Sequence, residues 1–144
     1  MYDYIDRPIA QLDPCGRLMI SAMRQWVRAR ELGRCGCTAI NAVFTQGGVV
    51  EALPEFHMMM AVLNGDGVRR FVLGCICDPL VVDDEAVLLA LVHAAASGHA
   101  AIVEQSAAQM VAPHMTQVFA RSLIRLADGL AALSPADQHK GTSS

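Results

Sequence analysis

Five cysteines are the residues of this 144-residue chain with the most chemistry to offer. Four of them form two Cys-x-Cys pairs, Cys35-Gly-Cys37 and Cys75-Ile-Cys77, and Cys15 stands apart. Thiolates gathered in fours hold zinc or an iron–sulfur cluster, so Cys35, Cys37, Cys75 and Cys77 are the candidate metal ligands. Their spacing argues against that assignment. Structural zinc sites favour two to four residues between paired ligands, and each pair here has one. In an extended segment Cys75 and Cys77 project to the same side, with Cα atoms about 6.6 Å apart. That separation permits a shared ion and sits at the far end of the disulfide range; in a helix the two would diverge. Redox or regulatory thiol chemistry is the second assignment. Within it, Cys37 is the reactive-thiol candidate, because it precedes an expected helix start and lies near Arg34, both of which lower a thiol pKa. No histidine adjoins it to complete a nucleophile–base pair. The remaining alternative is that the cysteines are reduced thiols packed as small hydrophobes, the usual role of free cysteine.

Other reactive types have structural explanations. His57-Met58-Met59-Met60 combines imidazole with thioethers, a donor set suited to copper. Consecutive helical residues point about 100° apart, however, and Met59 and Met60 already belong to a core stripe. On an apolar helix, His93 is expected as a hydrogen-bonded core histidine rather than a ligand or base, and His99 and His114 as exposed. The consecutive acids Asp83, Asp84 and Glu85 cannot converge as a catalytic pair. Asp83 reads as a helix cap, with Asp84 and Glu85 serving the positive end of the helix dipole. There is no phosphate-cradling loop, no G-x-G-x-x-G and no serine elbow, and Asn64-Gly-Asp-Gly67 lacks the alternating acids of a calcium loop. No catalytic residue is assigned and no cofactor is implied.

Six helical segments must position these residues. Residues 1–12 have no periodicity and read as an arm, 13–133 as one helical domain, and 134–144 as a frayed tail with little to bury. Asp13-Pro14 starts the first helix, since aspartate caps free amides and proline at the first helical position loses nothing. Leu18, Met19, Ala22, Trp26 and Ala29 then recur at helical spacing, Ile20, Met23 and Val27 make a second strip, and Arg17, Arg24 and Arg28 fill the remaining face. Thr38 is the expected cap of a second helix, and Leu53-Pro54 starts a third that buries Phe56, Met59, Met60 and Leu63. Residues 69–79 then form an extended crossover. The acids lead a fourth helix, apolar nearly all round and therefore expected at the centre. A fifth follows with Val103, Ala107 and Met110, and Pro113 separates off a sixth with a Phe119, Leu123, Leu126, Leu130, Leu133 stripe. The expected architecture is an all-α, irregular or orthogonal bundle of five to six helices with an extended Cys-x-Cys crossover in the middle.

Gly74-Cys-Ile-Cys-Asp-Pro79 followed by Asp84-Glu-Ala-Val-Leu-Leu-Ala-Leu91 resembles a family of small uncharacterised bacterial all-helical proteins. That family has an Arg-containing first helix, a middle loop bearing cysteine and proline, and an acid-capped Ala/Leu-rich helix. Arg17-Leu-Met, Cys75, Cys77, Pro79 and Asp84-Glu85 are the matching residues, over most of 15–133. Ile76 and Asp78 depart from a denser Cys/Pro loop. The resemblance implies a helical fold and no activity.

The composition is 53% hydrophobic but only 5% aromatic, so small aliphatic side chains must build the core. A mean hydropathy of +0.35 is high, and apolar surface beyond the core usually ends in an interface, so a homodimer is expected. The apolar run over 86–96 falls short of the roughly 20 residues a bilayer requires, and the first residues carry no secretory pattern. The expected compartment is therefore the reducing cytoplasm. Five arginines on or just after the first helix (Arg17, Arg24, Arg28, Arg30 and Arg34) could grip phosphates, yet the net charge is −3 and no aromatics interleave them, so nucleic acid is not an expected partner. The leading expectation is a non-catalytic protein acting through homodimerisation or a protein-interaction surface. A cysteine-centred metal or redox protein stands second, and nucleic-acid binding third.

Overall fold

Asp13 accepts a 2.8 Å hydrogen bond from the Gly16 amide, and α1 (Pro14–Glu31) begins there, as the Asp-Pro pair dictates. The computed structural model describes residues 4–133; the expected tail at 134–144 lies outside them. Five more helices follow: α2 (Gly36–Gln46), α3 (Leu53–Asp66), α4 (Asp83–Ala96), α5 (Ala100–Met110) and α6 (Thr116–Gly129). Among the described residues there is no strand, and the architecture is an all-α bundle.

The front half, α1 to α3, and the back half, α4 to α6, are joined by residues 67–82, and α3 packs on α6 across the junction. The core is aliphatic with a few large rings at its centre: Phe44, Phe56 and Phe119 are fully buried, and the first two meet at 5.2 Å in a tilted pair. The helix with the most extensive packing is α6, which meets α3, α4 and α5, while α4, expected at the centre, packs on α6, α5 and, more lightly, α1. The stripe of α6 (Phe119, Leu123, Leu126, Leu130) serves three neighbours at once. On α4, by contrast, His93 is exposed and the apolar perimeter is only partly faced by other helices.

One local expectation is corrected. Thr38 does not cap α2: the helix begins at Gly36, with Cys35 in the cap position. The reason is steric. The Trp26 indole lies so close to Gly36 that a Cβ there would meet Nε1 at 2.3 Å, so the helix start is set by where the ring fits. The expected arm, over its described residues 4–12, packs against the body. Leu12 is buried, and Tyr4, Ile5 and Ile9 pack on the core. Its backbone joins the crossover through Asp6 N to Val81 O, Val81 N to Arg7 O and Ile9 N to Pro79 O, at 2.9–3.0 Å.

Candidate functional site

The first turn of α4 organises the crossover. Glu85 is completely buried, and its carboxylate uses all of its acceptor capacity. Oε2 accepts from Arg24 Nε at 2.7 Å and from the Gly74 amide at 3.1 Å, while Oε1 accepts from Arg24 Nη2 at 2.9 Å and the Val82 amide at 3.0 Å. Arg24 is 4% exposed. It also donates to the carbonyls of Asp78 (2.6 Å) and Leu80 (2.9 Å), so the pair fixes both sides of the loop, Glu85 at Gly74 and the planar fork of Arg24 at Asp78 and Leu80. Hydrogen bonding to Glu85 raises the Arg24 pKa above its already high ordinary value, against the opposing effect of burial. Burial works to raise the Asp84 pKa, but hydrogen bonds from Arg69 and from the Val72 amide outweigh it and hold the carboxyl below its usual range. The Arg69 fork grips Asp84 at 2.7 and 3.1 Å. The acids thus have structural partners that a cap-and-dipole reading omits. Asp83 alone remains exposed.

Held at Gly74 on one side and Asp78 and Leu80 on the other, residues 75–78 close a turn with Asp78 N donating to Cys75 O at 3.0 Å. The crossover is therefore not extended through its cysteines. The turn sets Cys75 Sγ 3.4 Å from Cys77 Sγ, and both side chains are exposed. The hydrogen bond between the two thiols splits their pKa values: Cys75 is lowered, chiefly by that bond and by the Cys77 amide, and Cys77 is raised by the same bond and by charge on Cys75. Either sulfur can donate to the other, so ionising one thiol holds the proton on its neighbour.

The other candidates separate. Cys37 lies inside the first turn of α2 and is half-buried against the core, so it does not occupy the position before a helix start that made it the reactive candidate. Cys35 does. It is exposed, and the amide and hydroxyl of Thr38 hold its thiol pKa below the ordinary value. Burial, with Asp13 adding to it, pushes the Cys15 thiol up to about 11. Among the described residues no three His, Cys, Asp or Glu side chains gather closely enough to hold a metal ion, so the two Cys-x-Cys pairs are not brought into one site. The arginine face of α1 is broken as well. Arg24 points inward, and Arg17 Nη1 turns back to the Leu12 carbonyl at 2.5 Å.

His93 is not a core histidine. It lines an open cavity of about 390 Å³ together with Cys15 and Asp13, residue types that could form a nucleophile, base and orienter. Nothing joins them: Asp13 is engaged by the Gly16 amide, and the buried Cys15 stays a thiol. The third histidine of note, His57, accepts from the Trp26 indole at 3.0 Å through Nδ1. Comparison with protein-family models, curated proteins and solved structures finds no match.

Sequence reasoning missed the Arg24–Glu85 pair, although one signal was present. Arg24 is four residues from Ile20 and three from Val27, which places it beside the second apolar strip of α1 rather than on a solvated face.

Proposed function

We propose that this chain is a non-catalytic, redox-responsive helical protein in which Cys75 and Cys77 interconvert between a dithiol and a disulfide. The observation that carries the reading is the 3.4 Å approach of two exposed sulfurs on a turn clamped at both ends. Forming the bond needs closure to about 2.05 Å, a short movement for side chains on an exposed turn. The step balances with a low-molecular-weight disulfide as oxidant. The Cys75 thiolate attacks one of its sulfurs and releases one thiol. Cys77, giving up its proton, then attacks Cys75 Sγ and releases the second, so the protein loses two hydrogens and the oxidant gains them. A three-residue loop gains only about 1.5 kcal/mol from chain entropy, so this disulfide is a poor staple and a better reporter. In a reducing cytoplasm the resting form is the dithiol.

Equilibration with mixtures of oxidised and reduced glutathione, followed by alkylation and peptide mapping, tests the reading. The expected result is joint protection of Cys75 and Cys77 as the mixture becomes oxidising, with labelling of the half-buried Cys15 the same at every ratio. Independent glutathione adducts on Cys75 and Cys77 with no shared disulfide, at every ratio, would remove the proposal.

A second reading, homodimerisation, is supported by the same loop. Val72, Ile76 and Leu80 are large apolar side chains left exposed there, Ile76 by 59%, and a second copy of this chain is the occupant the high hydropathy favours. Sedimentation with and without reductant decides it. Membership of the small bacterial helical family belongs to the same proposal and adds no activity to it.

A further inference from the structure

A second feature stands apart from the cysteine turn. Between α1, α3 and the first half of the crossover lies an open cleft of about 530 Å³, a size typical of small-molecule sites. Its floor is apolar, made by the buried side chains of Trp26, Met60, Leu63 and Leu88, while its lining as a whole is mixed polar and apolar. Its rim is basic. Arg30, Arg69 and Arg70 line it against a single acid, Glu31, a net +2 from three arginines and one glutamate in a chain whose total charge is −3. Arg69 is spent on Asp84 and lies over the Phe71 ring at 4.7 Å. The other two cations differ. Arg30 sits over the Trp26 ring, 5.8 Å from its centroid, and Arg70 is exposed; neither has a carboxylate of the described residues within ion-pair distance.

We infer that this cleft binds a small anion carried on a planar ring. The ring would lie against the apolar floor and the Trp26 and Phe71 side chains, and its carboxylate or phosphate would meet the guanidinium groups of Arg30 and Arg70. Two exposed arginines at the mouth of a cleft with an apolar floor set this selectivity. A free inorganic anion gains only the exposed cations, which water and salt screen, and a neutral ring gains only the floor. A molecule with both gains both, and arginine suits either anion through its planar fork. A mononucleotide and an aromatic carboxylate share this chemistry. Neither Cys75 nor Cys77 lines the cleft, so the inference stands or falls independently of the redox proposal.

Trp26, the chain's one tryptophan, supplies the probe. Its fluorescence, excited selectively, is titrated in the full-length protein with AMP and with benzoate, and in parallel with phosphate, acetate and adenosine. Calorimetry serves as the second readout. The expected result is saturable binding of AMP, benzoate or both at least tenfold tighter than any of the three fragments. Binding of AMP alone identifies a nucleotide site, and of benzoate alone an aromatic-carboxylate site. Arg30→Ala and Arg70→Ala should each weaken it about fivefold or more, while Arg121→Ala, on α6 and outside the cleft, leaves it unchanged. Both variants remove exposed side chains with no ion-pair partner among the described residues, so the fold should survive; circular dichroism checks this. Absence of saturable binding by AMP and benzoate alike overturns the inference. So does equal affinity in the wild type and the Arg30→Ala/Arg70→Ala double variant.

Discussion

Replacing Glu85 with alanine removes the one carboxylate that neutralises Arg24 inside the protein. The guanidinium would keep its bonds to the Asp78 and Leu80 carbonyls but lose its counter-charge, and the Gly74 and Val82 amides would lose their acceptor. Breaking a buried pair by deleting one partner costs roughly 3–5 kcal/mol, because the cost is that of an uncompensated buried charge. Against a total stability of about 5–15 kcal/mol that is a large fraction. For a chain of this size it corresponds to a fall in Tm of roughly 8–16 °C. Urea unfolding followed by far-UV circular dichroism measures it. Amide exchange at Gly74 and Val82, which should accelerate more than exchange in α6, locates the damage. The double variant Arg24→Leu/Glu85→Leu is the informative partner. With both charges gone it should recover part of the loss, short of full recovery because two loop carbonyls are left without donors. A Glu85→Ala cost below about 1 kcal/mol, far under the value for a buried pair, would refute the reasoning. So would a double variant whose loss equals the sum of the two single losses, since the charges would then be uncoupled.

Two further outcomes follow from neighbouring residues. Asp84 has a depressed pKa in the folded protein, so its contribution is complete above the ordinary aspartate value of about 3.9 and is lost as pH falls through the lower folded value. Asp84→Asn should therefore destabilise the protein at neutral pH by an amount that shrinks toward zero in acid, and paired urea melts at the two pH values measure the difference. Gly36→Ala should cost about 1–3 kcal/mol as an overpacking change, because its methyl would enter the Trp26 ring; thermal melts, with a shifted Trp26 emission, check it.

What could be read from the sequence was local. Asp13-Pro14, Leu53-Pro54 and the Phe119-to-Leu130 stripe each carry their signal within a few residues, and each helix stands where those residues place it. Arg24 and Glu85 are 61 positions apart. An acid in the first turn of a helix looks the same in sequence whether it faces water or a buried guanidinium. The cysteine turn was obscured for a related reason. Its geometry comes from the clamp on its flanks, so the residues between Gly74 and Pro79 do not by themselves choose a turn over an extended path. The arm, lacking any periodicity, gave no sign that its backbone would pair with residues 79–81. Thr38 as the cap favours Cys37 over Cys35, but the observed cap lies three residues earlier, and the packing of Trp26 on Gly36 that accompanies it is a tertiary fact.

The clamp also has a temporal consequence. Arg24 emerges early in synthesis and Glu85 only after the whole front half, and domains assemble as their elements become available. Pairing across so long a stretch is late because the intervening chain must be ordered first. α1 and α2 can pack before α4 exists, whereas α3 waits for its chief partner α6 and the cysteine turn for the first turn of α4 to dock against Arg24. A nascent or truncated chain ending before α4 would thus display Cys75 and Cys77 with their separation unset. The readiness of the two sulfurs to meet becomes a marker that both halves of the chain have been made and joined.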